Sequence, residues 1–242
     1  MKIVRHIPNT ITSMNLLCGV MAVIFTFKGN FDIAFYLMLA AAVCDFCDGL
    51  SARLLGAYSA IGKELDSLAD MVSFGLLPAL MLNRLMIHNG ANEILSCIPL
   101  VIAVLSALRL AKFNVDERQS ESFIGLATPA CAMICASFSY YVIAVPDSTL
   151  MAWAKTDLFI PIASVILALL LVSEIPMFSM KFKRNMKPDT PANKERLVFA
   201  GIVSVVCILV FLLGLNWSFI ILMTFVCYIV MNIVGMILFR RR

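Results

Sequence analysis

Asp45, Asp48, Asp66 and Asp70 fall within or beside two apolar stretches, in the segment CDFCDGLSARLLGAYSAIGKELDSLAD that runs from Cys44 to Asp70. Carboxylates in such surroundings are costly to keep and are functional candidates by default. Asp45 and Asp48 are three residues apart and Asp66 and Asp70 four apart, so on helices each pair lines one face. One straight helix through the segment would hold Asp48 and Asp66 about 27 Å apart. The intervening LLGAYSA offers a turn from Gly56 to Ser59, and folding back there brings the two faces into one four-carboxylate site. Anions so close in a poorly hydrated place need cations. Divalent Mg²⁺ or Mn²⁺ suits an oxygen donor set with no neighbouring His. Capping or interhelical hydrogen bonds would account for one such aspartate, but not for four at this spacing.

The residues around them extend the chemistry. Gly49 and Ala52 lie near the aspartate face of the first helix, and Gly62 stands one turn before Asp66. Small residues allow close helix approach or leave room for a flat ligand. Arg53 at the helix end can pair with a phosphate. Metal, small walls and arginine together suggest a pyrophosphate-bearing ligand. Cys44 and Cys47 form a Cys-x-x-Cys, but on a helix they point about 100° away from their aspartate neighbours and read as packing.

The elements that must carry these residues are membrane helices. Of the 242 residues, 62% are hydrophobic and 14% charged, more apolar surface than a soluble domain of this size can hide. The fold class is therefore all-α, a polytopic bundle. Spans are expected near 11–28, 32–54, 60–82, 94–112, 127–145, 158–173, 197–213 and 217–239, about eight in all. The basic, apolar N-terminus resembles a signal peptide, but polar interruptions at Asn9, Thr10, Thr12, Ser13 and Asn15 make it a retained first helix. Of the 19 basic residues, only Lys28, Arg84 and Lys155 fall on one side of this arrangement. The excess on the other side makes both termini cytoplasmic, with the aspartates in the cytoplasmic halves of their helices. The basic loop 174–196 is expected against anionic headgroups, mostly as an orientation signal. The chain reads as one domain: a core of about 1–183 and an additional helical pair of about 197–239.

Asp45-x-x-Asp48-Gly49-x-x-Ala52-Arg53, eight residues, then Gly62-x-x-x-Asp66-x-x-x-Asp70 resembles the signature of the CDP-alcohol phosphotransferases at every defined position. That resemblance implies a membrane enzyme that binds a CDP-linked lipid and two divalent ions, Mg²⁺ or Mn²⁺, and transfers the phosphatidyl group to an alcohol. It implies metal ligation by Asp45, Asp48, Asp66 and Asp70, with Asp70 also the general base. Asp48, Gly49, Ala52, Arg53 and Gly62 would face the CDP-lipid. Asn15, a turn or so inside the first helix, is a further candidate there.

Outside the motif, IPNTITSMNLLCG (7–19), FGLLPAL (74–80), LRLAKFNVDERQSESFIGLATPA (108–130) and VSEIPMFSMKFK (172–183) resemble the membrane-integral phosphatidylserine synthases. The resemblance covers little of the last two spans. Lys112, Ala127 and Glu174 stand where that group usually has arginine, proline and a neutral polar residue. It implies CDP-diacylglycerol and L-serine as substrates, cell-membrane location with the site facing the cytoplasm, and a homodimer; no nucleic-acid partner is expected. Arg109 and Lys112 could hold the serine carboxylate, with Asn114 as an adaptable partner, although Lys112 lacks the bidentate geometry of arginine. Inositol phosphate or glycerol phosphate as acceptor, and at greater distance divalent-cation transport, are the alternatives. Transport would need polar groups continuing to the outer leaflet, where the spans are almost uniformly apolar.

Overall fold

In the computed structural model, residues 6–115, 123–177 and 191–239 are described. Among the described residues eleven α-helices follow in order: α1 Ile7–Phe27, α2 Phe31–Leu54, α3 Ala60–Asp70, α4 Leu77–His88, α5 Glu93–Ser96, α6 Val101–Val115, α7 Thr128–Ala144, α8 Thr149–Ala154, α9 Phe159–Val172, α10 Pro191–Leu212 and α11 Ser218–Phe239. Each expected span has its helix. Five are long and apolar enough to cross a membrane: Ile7–Phe27, Phe31–Leu54, Ala60–His88, Glu93–Val115 and Ser218–Ile237. The apolar helices Thr128–Ala144, Phe159–Val172 and Arg196–Leu212 are shorter. Most of the basic loop, Arg118 and the terminal basic residues lie outside the described residues.

The Ala60–His88 span is the centre of the bundle: 56% of its most apolar window is buried, against 28–33% in the other four. It is not a uniform α-helix. Met71–Leu76 is a π-helical turn between α3 and α4, in which the Leu77 N–H reaches Val72 O. Pro78 supplies the reason, because it has no N–H to offer and its ring would press on the carbonyl of Phe74. Widening to a π-turn relieves that clash, and such turns cluster at functional sites. This one begins at the residue after Asp70.

The α2–α3 connection is a capped hairpin. Gly56 takes φ +58°, the left-handed conformation that costs glycine least. Ala57 N–H donates to Ala52 O at 3.0 Å and Gly56 N–H to Arg53 O at 3.4 Å, the paired bonds of a Schellman stop. Ser59 Oγ then accepts from Gly62 N–H at 3.0 Å and starts α3 as its N-cap.

Helix α1 packs along α2, α3 and the π-turn. Gly19 is where it comes closest: a Cβ there would collide with Ser73 Oγ of the π-turn and sit 3.1 Å from its Cα. Helix α7 lies between α4 and α11, and α6 against the π-turn and α9. Before α7, Phe123–Ile124 pairs antiparallel with Pro176–Met177, in register Phe123↔Met177 and Ile124↔Pro176. Leu126 N–H also donates to Leu170 O at 2.9 Å. This clasp fixes where α7 begins.

Gly19→Ala should therefore lower thermal stability by about 1–3 kcal/mol through overpacking. Adding Ser73→Ala should return part of that loss, since it removes the clashing oxygen. Thermal unfolding of the three detergent-solubilised variants checks this, and full additivity of the two changes would refute the contact.

Candidate active site

The capped hairpin turns the chain so that the carboxylates of α2 and α3 converge, with α1 packed against both helices. Asp45, Asp48 and Asp66 each present an oxygen within 4.8 Å of the others. Two uncompensated charges at that distance repel by about 3 kcal/mol even in a surface-like dielectric. Asp48 Oδ2 and Asp66 Oδ1 are buried and, among the described residues, have no hydrogen-bond partner. Converging oxygens without a donor to satisfy them are the ligand set of a hard divalent cation. The residues present fit such an ion. Cys44 and Cys47 stay outside this cluster.

Asp70 stands one turn further along α3, and its carboxylate interacts with those of Asp45 and Asp66. Its orientation is set from α1: Asn15 Nδ2 donates to Asp70 Oδ1 at 3.3 Å. Asn15 is fully buried, and its main-chain carbonyl accepts from Ser73 Oγ at 3.1 Å. The π-turn, α1 and Asp70 are thus joined in one chain of contacts. Asn15 was expected beside the CDP-lipid; its hydrogen bond is to the fourth aspartate.

A cavity of about 190 Å³ opens beside the three carboxylates. Asp48 and Asp66 form one side of it, Gly49, Ala52 and Gly62 line it from α2 and α3, and Pro8, Asn9 and Thr12 close it from α1. A Cβ on Gly62 would come 2.9 Å from both Asn9 Oδ1 and Ser59 Oγ, so glycine keeps the α1 side open. The enclosed volume is below the roughly 300 Å³ of a typical small-molecule site. It can take part of a nucleotide-sized ligand, with the rest on the open surface around Arg53. Arg53 is exposed and extends back over Gly49, its Nη2 4.0 Å from where a Cβ would be.

The three residues considered for the acceptor separate. Arg109 is 8% exposed. Its Nη1 donates to Thr128 Oγ1 at 3.1 Å, and the guanidinium lies 5.8 Å from the Phe113 ring centroid. Its Nε is buried and has no hydrogen-bond partner among the described residues. Arg109 also interacts with Asp70 and with Tyr228 of α11. Lys112, by contrast, is exposed. Asn114 braces α6 to α3: its Nδ2 donates to Ser67 Oγ at 2.8 Å, and its main-chain carbonyl accepts from Lys63 Nζ at 2.9 Å.

Sequence reasoning passed over Thr12 as a site wall, and over Thr128 and Tyr228. Thr12 carried a signal, as a polar residue in an apolar helix. Tyr228 carried none, because nothing local in α11 points to a residue so distant in sequence.

The family model for CDP-alcohol phosphatidyltransferase matches residues 5–175. The chain belongs to this family. It is accordingly a transferase and an integral membrane protein. A Bacillus subtilis protein named CDP-diacylglycerol–serine O-phosphatidyltransferase is 33% identical over 138 residues, 56% of this chain and 77% of the relative. A Mycobacterium leprae protein of the same name is 30% identical over 230 residues, 92% of this chain and 73% of the relative. An archaetidylserine synthase of Methanothermobacter thermautotrophicus is 31% identical over 134 residues, 54% of this chain and 57% of the relative. The M. leprae similarity runs past residue 175 into the last two helices, further than the resemblance was expected to reach. Divalent metal use is a property of this phosphatidyltransferase family, in keeping with the carboxylate cluster.

Asp48→Asn and Asp66→Asn should each weaken Mn²⁺ binding by at least about tenfold while leaving the protein folded. Titration of the purified protein followed by Mn²⁺ electron paramagnetic resonance reads this directly. Unchanged affinity in both would remove the cluster from metal binding.

Proposed function

We propose that the protein transfers the phosphatidyl group of CDP-diacylglycerol to the hydroxyl of L-serine, giving phosphatidylserine and CMP. The observation that carries this reading is the convergence of Asp45, Asp48 and Asp66 within 4.8 Å beside the small-walled cavity, in a chain whose relatives include proteins named for serine transfer. Asp45, Asp48, Asp66 and Asp70 would hold two divalent ions, Mg²⁺ or Mn²⁺. When bound, such ions neutralise pyrophosphate and stabilise a departing phosphate.

The chain's own residues account for the rest. Gly49, Ala52 and Gly62 leave space for the nucleotide, and Arg53 pairs with a phosphate oxygen. Asp70, held by Asn15, takes the proton from the serine hydroxyl as that oxygen attacks phosphorus and the bond to CMP breaks. Among the described residues no side chain near Asp70 stands out as a separate nucleophile, which favours direct in-line displacement. Arg109 offers an unmatched buried N–H on the Asp70 side of the site, the partner a serine carboxylate needs once it leaves water. Lys112, exposed, has the weaker claim, and Asn114 supports the acceptor side from its bond to Ser67.

In this reading all eight apolar helices cross the membrane, both termini are cytoplasmic, and the site opens to the cytoplasmic face of the cell membrane. The diacylglycerol tails of the donor then remain in lipid while the cytidine reaches the aqueous side. The protein works as a homodimer.

Asp70→Asn should abolish transfer while CDP-diacylglycerol binding is largely retained; full activity would sink the base assignment. With purified protein, CDP-diacylglycerol and Mg²⁺ or Mn²⁺, serine should be turned over in preference to inositol phosphate and glycerol phosphate. Arg109→Lys should raise KM for serine with a smaller change in kcat. Turnover of a phosphorylated alcohol but not serine would overturn the acceptor.

A further inference from the structure

Five buried side-chain atoms have no hydrogen-bond partner among the described residues: Asn15 Oδ1, Asp48 Oδ2, Asp66 Oδ1, Ser106 Oγ and Arg109 Nε. A polar atom left unmatched away from water is costly, so each of the five needs a reason to be there. The two carboxylate oxygens face the cation, and Arg109 Nε is the donor offered to the acceptor's carboxylate. Asn15 Oδ1 and Ser106 Oγ remain.

These two are not alike. A hydroxyl in a helix can turn to the carbonyl four residues before it, as those of Thr12, Thr26, Ser139 and Ser164 do. Ser106, inside α6 with Ile102 four residues before it, has that choice open. Asn15 does not. Its Nδ2 donates to Asp70 Oδ1 at 3.3 Å, and turning the amide over would set Oδ1 against a carboxylate, acceptor against acceptor. The backbone N–H groups around it are spent on α1 itself. Nor can the residue swing away. Ser73 Oγ holds its main-chain carbonyl, and Gly19, one turn on, lies against the same serine.

The nucleotide cavity is bordered from α1 by Pro8, Asn9 and Thr12, and neither Asn15 nor Asp70 lines it. Asn15 Oδ1 therefore belongs to the Asp70 side, where the acceptor alcohol gives up its proton. Planar amide geometry keeps Oδ1 about 2.2 Å from Nδ2, so it stands within about 5.5 Å of Asp70 Oδ1. An alcohol with an ammonium on the neighbouring carbon presents two donors side by side and can span two acceptors so placed. The surrounding charges agree with that pose. Asp70 interacts with the carboxylates of Asp45 and Asp66 and also with Arg109. A zwitterion would turn its cation to the aspartates and its anion to Arg109. Taking serine as the acceptor proposed above, we infer that Asn15 Oδ1 accepts a hydrogen bond from the serine ammonium while Asp70 takes the hydroxyl proton. Asn15 is then a specificity-determining residue for alcohols that carry an amine on the adjacent carbon. The ammonium keeps its protons and takes no part in the transfer.

Initial rates with L-serine and with 3-hydroxypropanoate, which is serine without its amino group, test this with purified protein, CDP-diacylglycerol and Mn²⁺. The wild type should prefer serine by at least about tenfold in kcat/KM. Asn15→Leu should lower kcat for both acceptors alike, because Asp70 loses its donor. It should raise KM for serine alone, so that the preference falls by about tenfold. Equal losses on both acceptors, with the preference intact, would make Asn15 a positioning residue for Asp70 only and overturn the inference. Equal use of the two acceptors by the wild type would overturn it without any variant. Mn²⁺ affinity should be unchanged in Asn15→Leu; a loss of about tenfold would assign Oδ1 to the metal instead. Wild-type turnover of glycerol phosphate but of neither serine nor its analogue would sink the acceptor reading, and this inference with it.

Discussion

Like charges pressed together where water is scarce are the constraint around which this molecule is arranged. Three carboxylates within 4.8 Å would drive α2 and α3 apart unless covalent and packing restraints opposed them and a cation compensated them. The restraints are visible: a left-handed glycine and a Schellman stop close the hairpin, and Ser59 caps the returning helix. Helix α1 lies across both and donates to the fourth aspartate through Asn15. On the far side of Asp70 stands Arg109, a buried cation. The site is thus a negative cluster with a buried positive group on its Asp70 side, and the reaction proposed for it uses that polarity.

The packing that supports this arrangement is stiff at a few points. Gly19 lets α1 approach the π-turn to the limit of contact, and Ser73 at that point also bonds the Asn15 carbonyl. Gly75 of the same turn would bring a Cβ to 3.1 Å from Ser106 on α6. One irregular turn, beginning at the residue after Asp70, therefore touches both α1 and α6. A regular helix there would rotate α4 relative to α3 and present a different face to α7.

Much of the site was legible before any coordinates. The i, i+3 and i, i+4 spacing of the aspartates and the turn residues between them are local signals, and local signals survive in a single sequence. The apolar runs marked the helices for the same reason. Their packing was less legible, because a helix in lipid is apolar on every side and its composition does not say which face meets protein. The α1 wall of the cavity, the Arg109–Thr128 contact and the reach of Tyr228 all depend on such faces. The π-turn also escaped notice: Pro78 was visible, but a proline within a helix can kink it, stop it or widen it, and neighbouring packing selects among these.

The hairpin at Gly56 has a consequence for how the site is assembled. Asp45, Asp48, Asp66 and Asp70 are close in the chain, and Asn15 precedes them, so this half of the site is complete in the first two hairpins to leave the ribosome. Arg109 and Thr128 join from the next helices, and Tyr228 arrives last of all. The carboxylates are therefore together before Arg109 joins them, through the interval in which the central span waits for α6, α7 and α11 to dock. Contacts that span more of the chain close later and more slowly, so the elements facing Arg109 are the ones whose docking completes the enzyme.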